Sequence, residues 1–129
     1  MRLRLACFAF CLSLATVHSA LAHHSFAAEF DGNKPIRLQG TLSKIEWTNP
    51  HSYFWIDVKD DAGKVTRWGC EGASPSALSR HGFQKGAAKL GDQMVVDGYA
   101  AKDGAHLMNV RRIYLNGNMI FEQAPDERQ

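Results

Sequence analysis

The chain has 129 residues, a formal net charge of +2 and 45% hydrophobic residues. This length is sufficient for one hydrophobic core and too short for two domains of ordinary size. The sequence contains no internal repeat and no low-complexity tract, so we expect a single globular domain.

The first 22 residues have the pattern of a secretory signal peptide. Arg2 and Arg4 form a short positive segment, an apolar run follows from Leu5 to Val17, and small residues precede the expected cleavage after Ala22. The apolar run is too short to span a bilayer, so we expect a periplasmic or secreted protein without stable membrane insertion. Loss of the two arginines reduces the 15 basic residues to 13, against 13 acidic ones. A nucleic-acid partner is therefore not expected.

Cleavage at this position would expose two adjacent histidines, His23 and His24. An N-terminal histidine offers its α-amine and its ring nitrogen to one metal ion, and such ligands favour Cu(II) over Zn(II). An unstructured terminus that binds nothing is the alternative. Cleavage also removes Cys7 and Cys11, so Cys70 has no internal disulfide partner. We expect a buried, unreactive thiol there, with a reactive or intermolecular one as the alternative.

The first strand signal begins at Ile36. Apolar and polar residues alternate between Ile36 and Leu42, and the apolar phase then shifts to Ile45 and Trp47. Such a shift predicts a β-bulge or a sharp bend in one long strand. The strand ends at a tight turn that contains Pro50, because proline lacks the backbone donor that a continuing ladder needs.

The second strand is predicted from Tyr53 to Lys59 and has two different faces. Phe54 and Ile56 lie on the face expected to enter the core, whereas Tyr53 and Trp55 lie on the other. These two large aromatic residues are either covered by the chain's own N-terminal segment or form a ligand-facing patch.

The remaining signals indicate further strands, a short helix and a C-terminal hairpin. Ser74 as N-cap and Pro75 at the first helical position predict a helix that Gly82 ends. A phase change between Val110 and Ile113 predicts an irregularity in the fifth strand. The strands are expected at Lys64–Glu71, Gln93–Ala100 and His106–Leu115, with a short sixth strand at Asn118–Phe121.

The order strand, strand, strand, short helix, strand, strand predicts an all-β fold with one short helix. We interpret it as an OB-like five-stranded barrel with the helix between strands 3 and 4, and a small antiparallel β-sandwich is the alternative. The expected organisation is a signal peptide at 1–22, an N-terminal segment that packs on the barrel at 23–35, the barrel domain at 36–122 and a flexible tail at 123–129.

Several short motifs along the chain resemble those of a known family. They are His23-His24-Ser25-Phe26, Trp47-Thr48-Asn49-Pro50-His51, Ser74-Pro75, Gly91-Asp92 and Asp103-Gly104. The chain resembles the small exported bacterial proteins of domain-of-unknown-function family 6152 over nearly all of its mature length. It departs from the family's usual residues at Phe83, Leu90 and Cys70, which look like packing and turn changes. The family has no established activity to carry over, so the resemblance supports the exported location and the fold.

The first functional hypothesis is a periplasmic metal-binding protein. In an OB-type barrel the loop between strands 1 and 2 and the loop between strands 4 and 5 flank one binding face. His51 lies in the first loop, His106 begins the strand after the second, and the N-terminal pair could fold back to the same end. The predicted metal ligands are His23, His24, His51 and His106, with Cu(II) favoured over Zn(II).

The second hypothesis is a metal-free binding module. Tyr53 and Trp55, with Trp47 and Asn49 beside them, would contact a sugar, a peptide or a partner protein. The sequence shows no serine–histidine–acid signature and no close pair of carboxylates. No catalytic residue is therefore assigned, and an enzyme is the less favoured interpretation.

Overall fold

The computed structural model describes residues 26–124. The predicted leader with Cys7 and Cys11, the paired histidines His23 and His24, and the tail from Pro125 lie outside the described residues. A helical segment at 26–29 precedes the strands. The elements that follow are β1 Phe30–Glu46, β2 Tyr53–Lys59, β3 Val65–Glu71, α1 Pro75–Arg80, β4 Gln93–Ala101, β5 Leu107–Leu115 and β6 Asn118–Glu122.

Five of the strands close into a ring. The sheet order is β3-β2-β1-β4-β5-β6, and β3 also pairs with β5, so β1, β2, β3, β5 and β4 follow one another around the ring. The β3–β5 pairing is parallel and the other pairings are antiparallel. This is the OB-like arrangement expected from the sequence, with α1 between β3 and β4 and with β6 added along β5. The two-sheet sandwich does not form, because one sheet curls and closes on itself.

The two phase shifts in the sequence correspond to β-bulges. The pairing of β1 with β2 shifts register between Leu42 and Lys44. In β5, Arg111 is the additional residue opposite the step from Asp97 to Gly98. A bulge adds one residue to a strand and bends it. The first bend lets the 17-residue β1 pair with β4 over its first part and with β2 over its last part.

β1 begins before the first predicted strand residue. The run Asp31-Gly32-Asn33 has the composition of a turn, yet Phe30 pairs with Ala101 and Pro35 pairs with Tyr99, with a register shift between the two pairs. The four residues between these pairs lie opposite Ala100 alone, and the Asn33 N–H donates to Oδ1 of Asp31 over 3.0 Å, so the run keeps a local turn within the strand.

The helical segment before β1 is held against the β4–β5 turn. Phe26 meets the ring of Tyr99 edge-on, with ring centroids 5.7 Å apart. The backbone N–H of Lys102 donates to the Glu29 carbonyl over 2.9 Å, and its ammonium donates to the Ala27 carbonyl. The chain therefore enters the ring close to this turn.

The core lies inside the ring and contains the residues that the alternation assigned to it. Phe54 and Ile56 are fully buried, and Cys70 has no exposed surface. Burial raises the pKa of the Cys70 thiol to about 12, so the thiol stays protonated at neutral pH. The prediction of a buried cysteine is confirmed. Other large core side chains are those of Leu42, Leu78, Phe83, Met94, Val96, Met108 and Ile113.

The short helix α1 has the ends that the sequence predicts. The Ser74 hydroxyl accepts a hydrogen bond from the Ala77 N–H over 3.3 Å, and Gly82 follows the helix with a φ of 99° that favours glycine. Leu78 anchors the helix in the core. No helix between Phe26 and Ala124 is long and apolar enough to cross a membrane.

Candidate ligand-binding face

Tyr53 and Trp55 lie side by side on the outer face of β2, away from the core. Both residues are half-buried, and their rings stack with centroids 6.4 Å apart and an interplanar angle of 24°. Residues two apart in a strand point to the same face, which is why the sequence alternation paired them. We call Tyr53 and Trp55 the aromatic platform.

Gly69 makes room for the indole of Trp55. It pairs directly with Trp55 across β2 and β3. A Cβ at position 69 would lie 3.1 Å from Cζ3 of the indole and 3.0 Å from Cδ1 of Leu107. The missing side chain therefore lets the indole lie against the strand. The indole N–H donates to Oε2 of Glu46 over 2.9 Å, which orients the ring.

The buried carboxylate of Glu71 holds Tyr53, the other residue of the platform. Glu71 pairs with Tyr53 across β2 and β3 and is only 6% exposed. The Tyr53 hydroxyl donates to Oε2 of Glu71 over 2.8 Å. Desolvation first, and then the hydrogen bond to Glu71, raise the pKa of Tyr53 above its usual value. The phenol therefore remains a neutral donor at physiological pH.

Negative charge surrounds the platform. Glu46 and Glu71 flank Tyr53 on the two neighbouring strands, and the charge of Glu29 also acts on the Tyr53 phenol. The hydrogen bond from Lys44 and then that from the indole lower the pKa of Glu46, so this carboxylate is ionised at neutral pH. Three carboxylates against one ammonium group leave the face with an excess of negative charge.

His51 connects the platform to a neighbouring cleft. Its Nδ1 donates to the Gly72 carbonyl over 3.2 Å, and its Nε2 lies 3.8 Å from Oε1 of Glu71. The β1–β2 turn is closed by the Thr48 hydroxyl, which donates to the His51 carbonyl over 2.7 Å. The cleft has a volume of about 410 Å³, and its polar side chains are those of Asn49, His51, Ser74, Arg80, Asn109 and Gln123.

His51 and His106 make separate contacts in the structure. The exposed His106 has its ring 5.1 Å from that of Trp68, whereas His51 contacts Gly72, which lies four residues after Trp68 in the chain.

No group of three or more His, Cys, Asp or Glu side chains within residues 26–124 is placed to hold a metal ion. His23 and His24 lie outside that part of the chain. The four-histidine site therefore stays a prediction.

The other two predicted ligand-binding residues lie apart from the platform. Trp47 packs edge-on against Phe54 and Phe83, with ring centroids 5.9 and 5.5 Å away, and borders the core. It follows the last residue of β1, where the two-residue alternation of a strand no longer applies. Asn49 is exposed in the turn and lines the cleft beside His51.

Sequence reasoning did not identify Glu46, Gly69 and Glu71 as parts of this face. The alternation of Gly69 and Glu71 around Cys70 in β3 was a usable signal, since Cys70 was assigned to the core. Glu46 offered no such signal, because its position beside Trp55 depends on the bulge in β1. These partners could be located only from the pairing of three strands.

Comparison with known proteins identifies the family. Residues 11–109 match the family of unknown function DUF6152. The chain belongs to this family. The matched part of this DUF6152 protein includes the whole aromatic platform and the carboxylates that border it. No curated protein matches the chain.

The chain is similar to solved structures at low sequence identity. The mitochondrial single-stranded DNA-binding protein Rim1 from S. cerevisiae is 14% identical with a TM-score of 0.51, over 66% of the DUF6152 chain and 96% of Rim1. TiaS in complex with a tRNA and ATP is 22% identical with a TM-score of 0.47, over 66% of this chain and only 18% of TiaS. The similarity to Rim1 is one of fold alone.

Proposed function

We propose that this protein is an exported binding module that holds a basic side chain of a peptide or protein partner on its aromatic platform. One observation carries the proposal: the stacked, half-buried rings of Tyr53 and Trp55 are bordered by the carboxylates of Glu29, Glu46 and Glu71. The exported location is supported by the leader-like pattern of residues 1–22.

Acidic groups beside half-buried aromatic rings favour a cation as the bound group. An ammonium or guanidinium over a tyrosine or tryptophan ring gains about 0.5–2 kcal/mol, and neighbouring carboxylates add to the attraction. The same carboxylates repel phosphate groups. The charge of this face therefore argues against nucleic acid as its ligand, although Rim1, which has a similar fold, is a single-stranded DNA-binding protein.

The adjoining cleft suits the main chain of such a partner. The side-chain amides of Asn49, Asn109 and Gln123 supply both donors and acceptors, as a peptide backbone requires. Its volume of about 410 Å³ is within the usual range for ligand sites, about 300–1,000 Å³. A peptide would use both regions, with a basic side chain on the platform and its backbone in the cleft.

Selection from a random heptapeptide library tests this proposal. The protein starting at His23 is used as bait, in parallel with Trp55→Ala and with Tyr114→Ala, which removes an aromatic ring from the outer face of β5. We expect arginine and lysine to be enriched on the wild type and on Tyr114→Ala, and the enrichment to disappear on Trp55→Ala. Enrichment of acidic or purely apolar peptides, or equal enrichment on Trp55→Ala, would contradict the proposal.

A second candidate, a copper site, is supported by the attachment of the N-terminal segment. The contacts of Lys102 hold the residues after Phe26 against the β4–β5 turn, and His106 follows the same turn. His24 is two residues before Phe26, a reach of about 7 Å along an extended chain. A site formed by His23, His24 and His106 is compatible with these contacts, whereas the fourth predicted ligand lies at the other loop.

Isothermal titration with Cu(II) and Zn(II) tests the copper site. The protein begins at His23, and a version with one extra N-terminal residue is the control. We expect sub-micromolar Cu(II) binding near one ion per chain, lost in the extended version, weakened by His106→Ala and unchanged by His51→Ala. Binding no tighter than that of a short exposed histidine–histidine peptide would exclude this candidate.

A further inference from the structure

A β-bulge places two consecutive arginines beside one pocket. Asp97 pairs with Arg112 and Gly98 pairs with Val110, so Arg111 is the additional residue of β5. Neighbours in a regular strand point to opposite faces, but the two residues of a bulge lie opposite one partner residue. Arg111 and Arg112 accordingly both line a concavity of about 400 Å³ on the outer surface of β1, β4 and β5.

Gly98 permits this close approach of the strands. A Cβ at position 98 would lie 2.0 Å from the carbonyl oxygen of Asn109, which is a backbone atom that cannot move independently of β5. Glycine is the residue that strands use where another backbone approaches this closely. Gly98 thus permits the bulge that places Arg111 and Arg112 beside one pocket.

Positive charge exceeds negative charge in the pocket. Three arginines, Arg37, Arg111 and Arg112, share it with one carboxylate, Asp97. Arg37 donates to Asp97 over 3.2 Å, and Arg112 donates to Glu122 over 2.7 Å. Arg111 is half-buried and forms no ion pair with any residue between positions 26 and 124. Its guanidinium is therefore available to an anion.

We propose that this arginine pocket binds the oxyanion of a small organic phosphate or carboxylate, with Arg111 as the principal contact. A guanidinium presents parallel N–H donors that match two oxygens of either group. Tyr99 lines the same pocket and provides an aromatic wall for the rest of the ligand. The pocket lies on strands other than those of the aromatic platform, so this inference does not rest on the function proposed above.

NMR titration of the protein starting at His23, at low ionic strength, tests the arginine pocket. The probes are phenyl phosphate, benzoate and inorganic phosphate, with benzyl alcohol as the uncharged control. We expect at least one organic anion to shift the backbone signals of Gly98 and Arg111, and benzyl alcohol to leave them in place. Whichever of phenyl phosphate and benzoate binds more tightly identifies the preferred oxyanion. Equal shifts with benzyl alcohol, or none with any anion, would overturn the inference.

Substitution at position 111 tests the principal contact. Arg111→Gln should weaken binding about tenfold or more, as expected for loss of a charge-assisted hydrogen bond. Arg111→Lys keeps the positive charge but lacks the parallel N–H donors of the guanidinium, so it should lose less affinity than Arg111→Gln. Arg67→Gln, which removes an exposed arginine outside the pocket, should bind as the wild type does. Unchanged affinity in both Arg111 variants, or an equal loss in Arg67→Gln, would overturn the assignment; the lysine variant decides if the glutamine variant does not fold.

Discussion

Replacing Gly69 with valine tests whether the space beneath the indole holds the aromatic platform in place. The new Cβ would lie 3.1 and 3.2 Å from two carbons of Trp55 and 3.0 Å from Leu107. Carbon atoms in favourable contact are about 3.5–4.0 Å apart, so this carbon alone requires a shift of roughly half an ångström. The two methyl groups of valine extend about 1.5 Å further. The indole must therefore leave its position against β3.

A displaced indole loses its hydrogen bond to Glu46. The distance from Nε1 to Oε2 is 2.9 Å, and a movement of about 1 Å takes the pair outside hydrogen-bond range. Water replaces part of this bond because the Glu46 side chain is 35% exposed. Forcing a larger side chain into a packed site costs about 1–3 kcal/mol, and removal of a strand glycine returns roughly 0.5–1 kcal/mol. We expect a net loss of about 1 kcal/mol, which lowers Tm by about 4–8 °C.

Binding should fall more clearly than stability. Loss of the platform should weaken the affinity for a blocked glycine–arginine–glycine peptide by about tenfold. Circular dichroism gives the Tm, and NMR titration gives the affinity. Gly32→Val is the matched control, because a Cβ there meets, among residues 26–124, only Phe26, at 3.8 Å. Wild-type affinity in Gly69→Val, with a Tm no lower than that of Gly32→Val, would refute the role assigned to Gly69.

Three further predictions concern the bulge, the phenol and the thiol. Gly98→Ala brings a Cβ within 2.0 Å of a backbone oxygen, so urea denaturation should show that the free energy of unfolding falls by about 3 kcal/mol or more. For Gly32→Ala the change should stay within about 1 kcal/mol. Similar values for the two variants would contradict the close approach of the strands. The pKa of Tyr53 is raised in the fold, so the contribution of its phenol to folding stability is complete below the unfolded pKa of about 10 and is lost as pH rises above it. Wild type should therefore lose stability faster than Tyr53→Phe above that pH, and equal slopes would argue against a bonded phenol. Buried Cys70 should react with a thiol reagent only in denaturant, and rapid modification of the native protein would contradict its placement.

The strands could be predicted where a period of two continued without interruption. Phe54 and Ile56 alternate with Tyr53 and Trp55, and the structure buries the first pair and leaves the second on the outer face. The start of β1 could not be found this way, because the run at 31–33 has turn composition and lies in the register shift between the pairs of Phe30 and Pro35 with β4.

The candidate site was less predictable than the fold because it depends on register. Trp47 and Trp55 look alike in the sequence, but Trp47 lies beyond the end of β1 and turns to the core. Glu46 reaches the indole only after the bulge between positions 42 and 44 has shifted the pairing. The arginine pocket has the same origin, since Arg111 shares a face with its neighbour only because of the second bulge.

The most direct test of the aromatic platform follows the indole N–H signals of the three tryptophans in a two-dimensional N–H correlation spectrum. The blocked glycine–arginine–glycine peptide is titrated into the protein starting at His23, and the same peptide with citrulline, which is uncharged and nearly isosteric, is the control. We predict that arginine shifts the signal of Trp55, that citrulline shifts it less, and that Trp47 and Trp68 are unaffected. An unmoved Trp55 signal, or equal shifts with both peptides, would contradict recognition of a basic side chain at this platform.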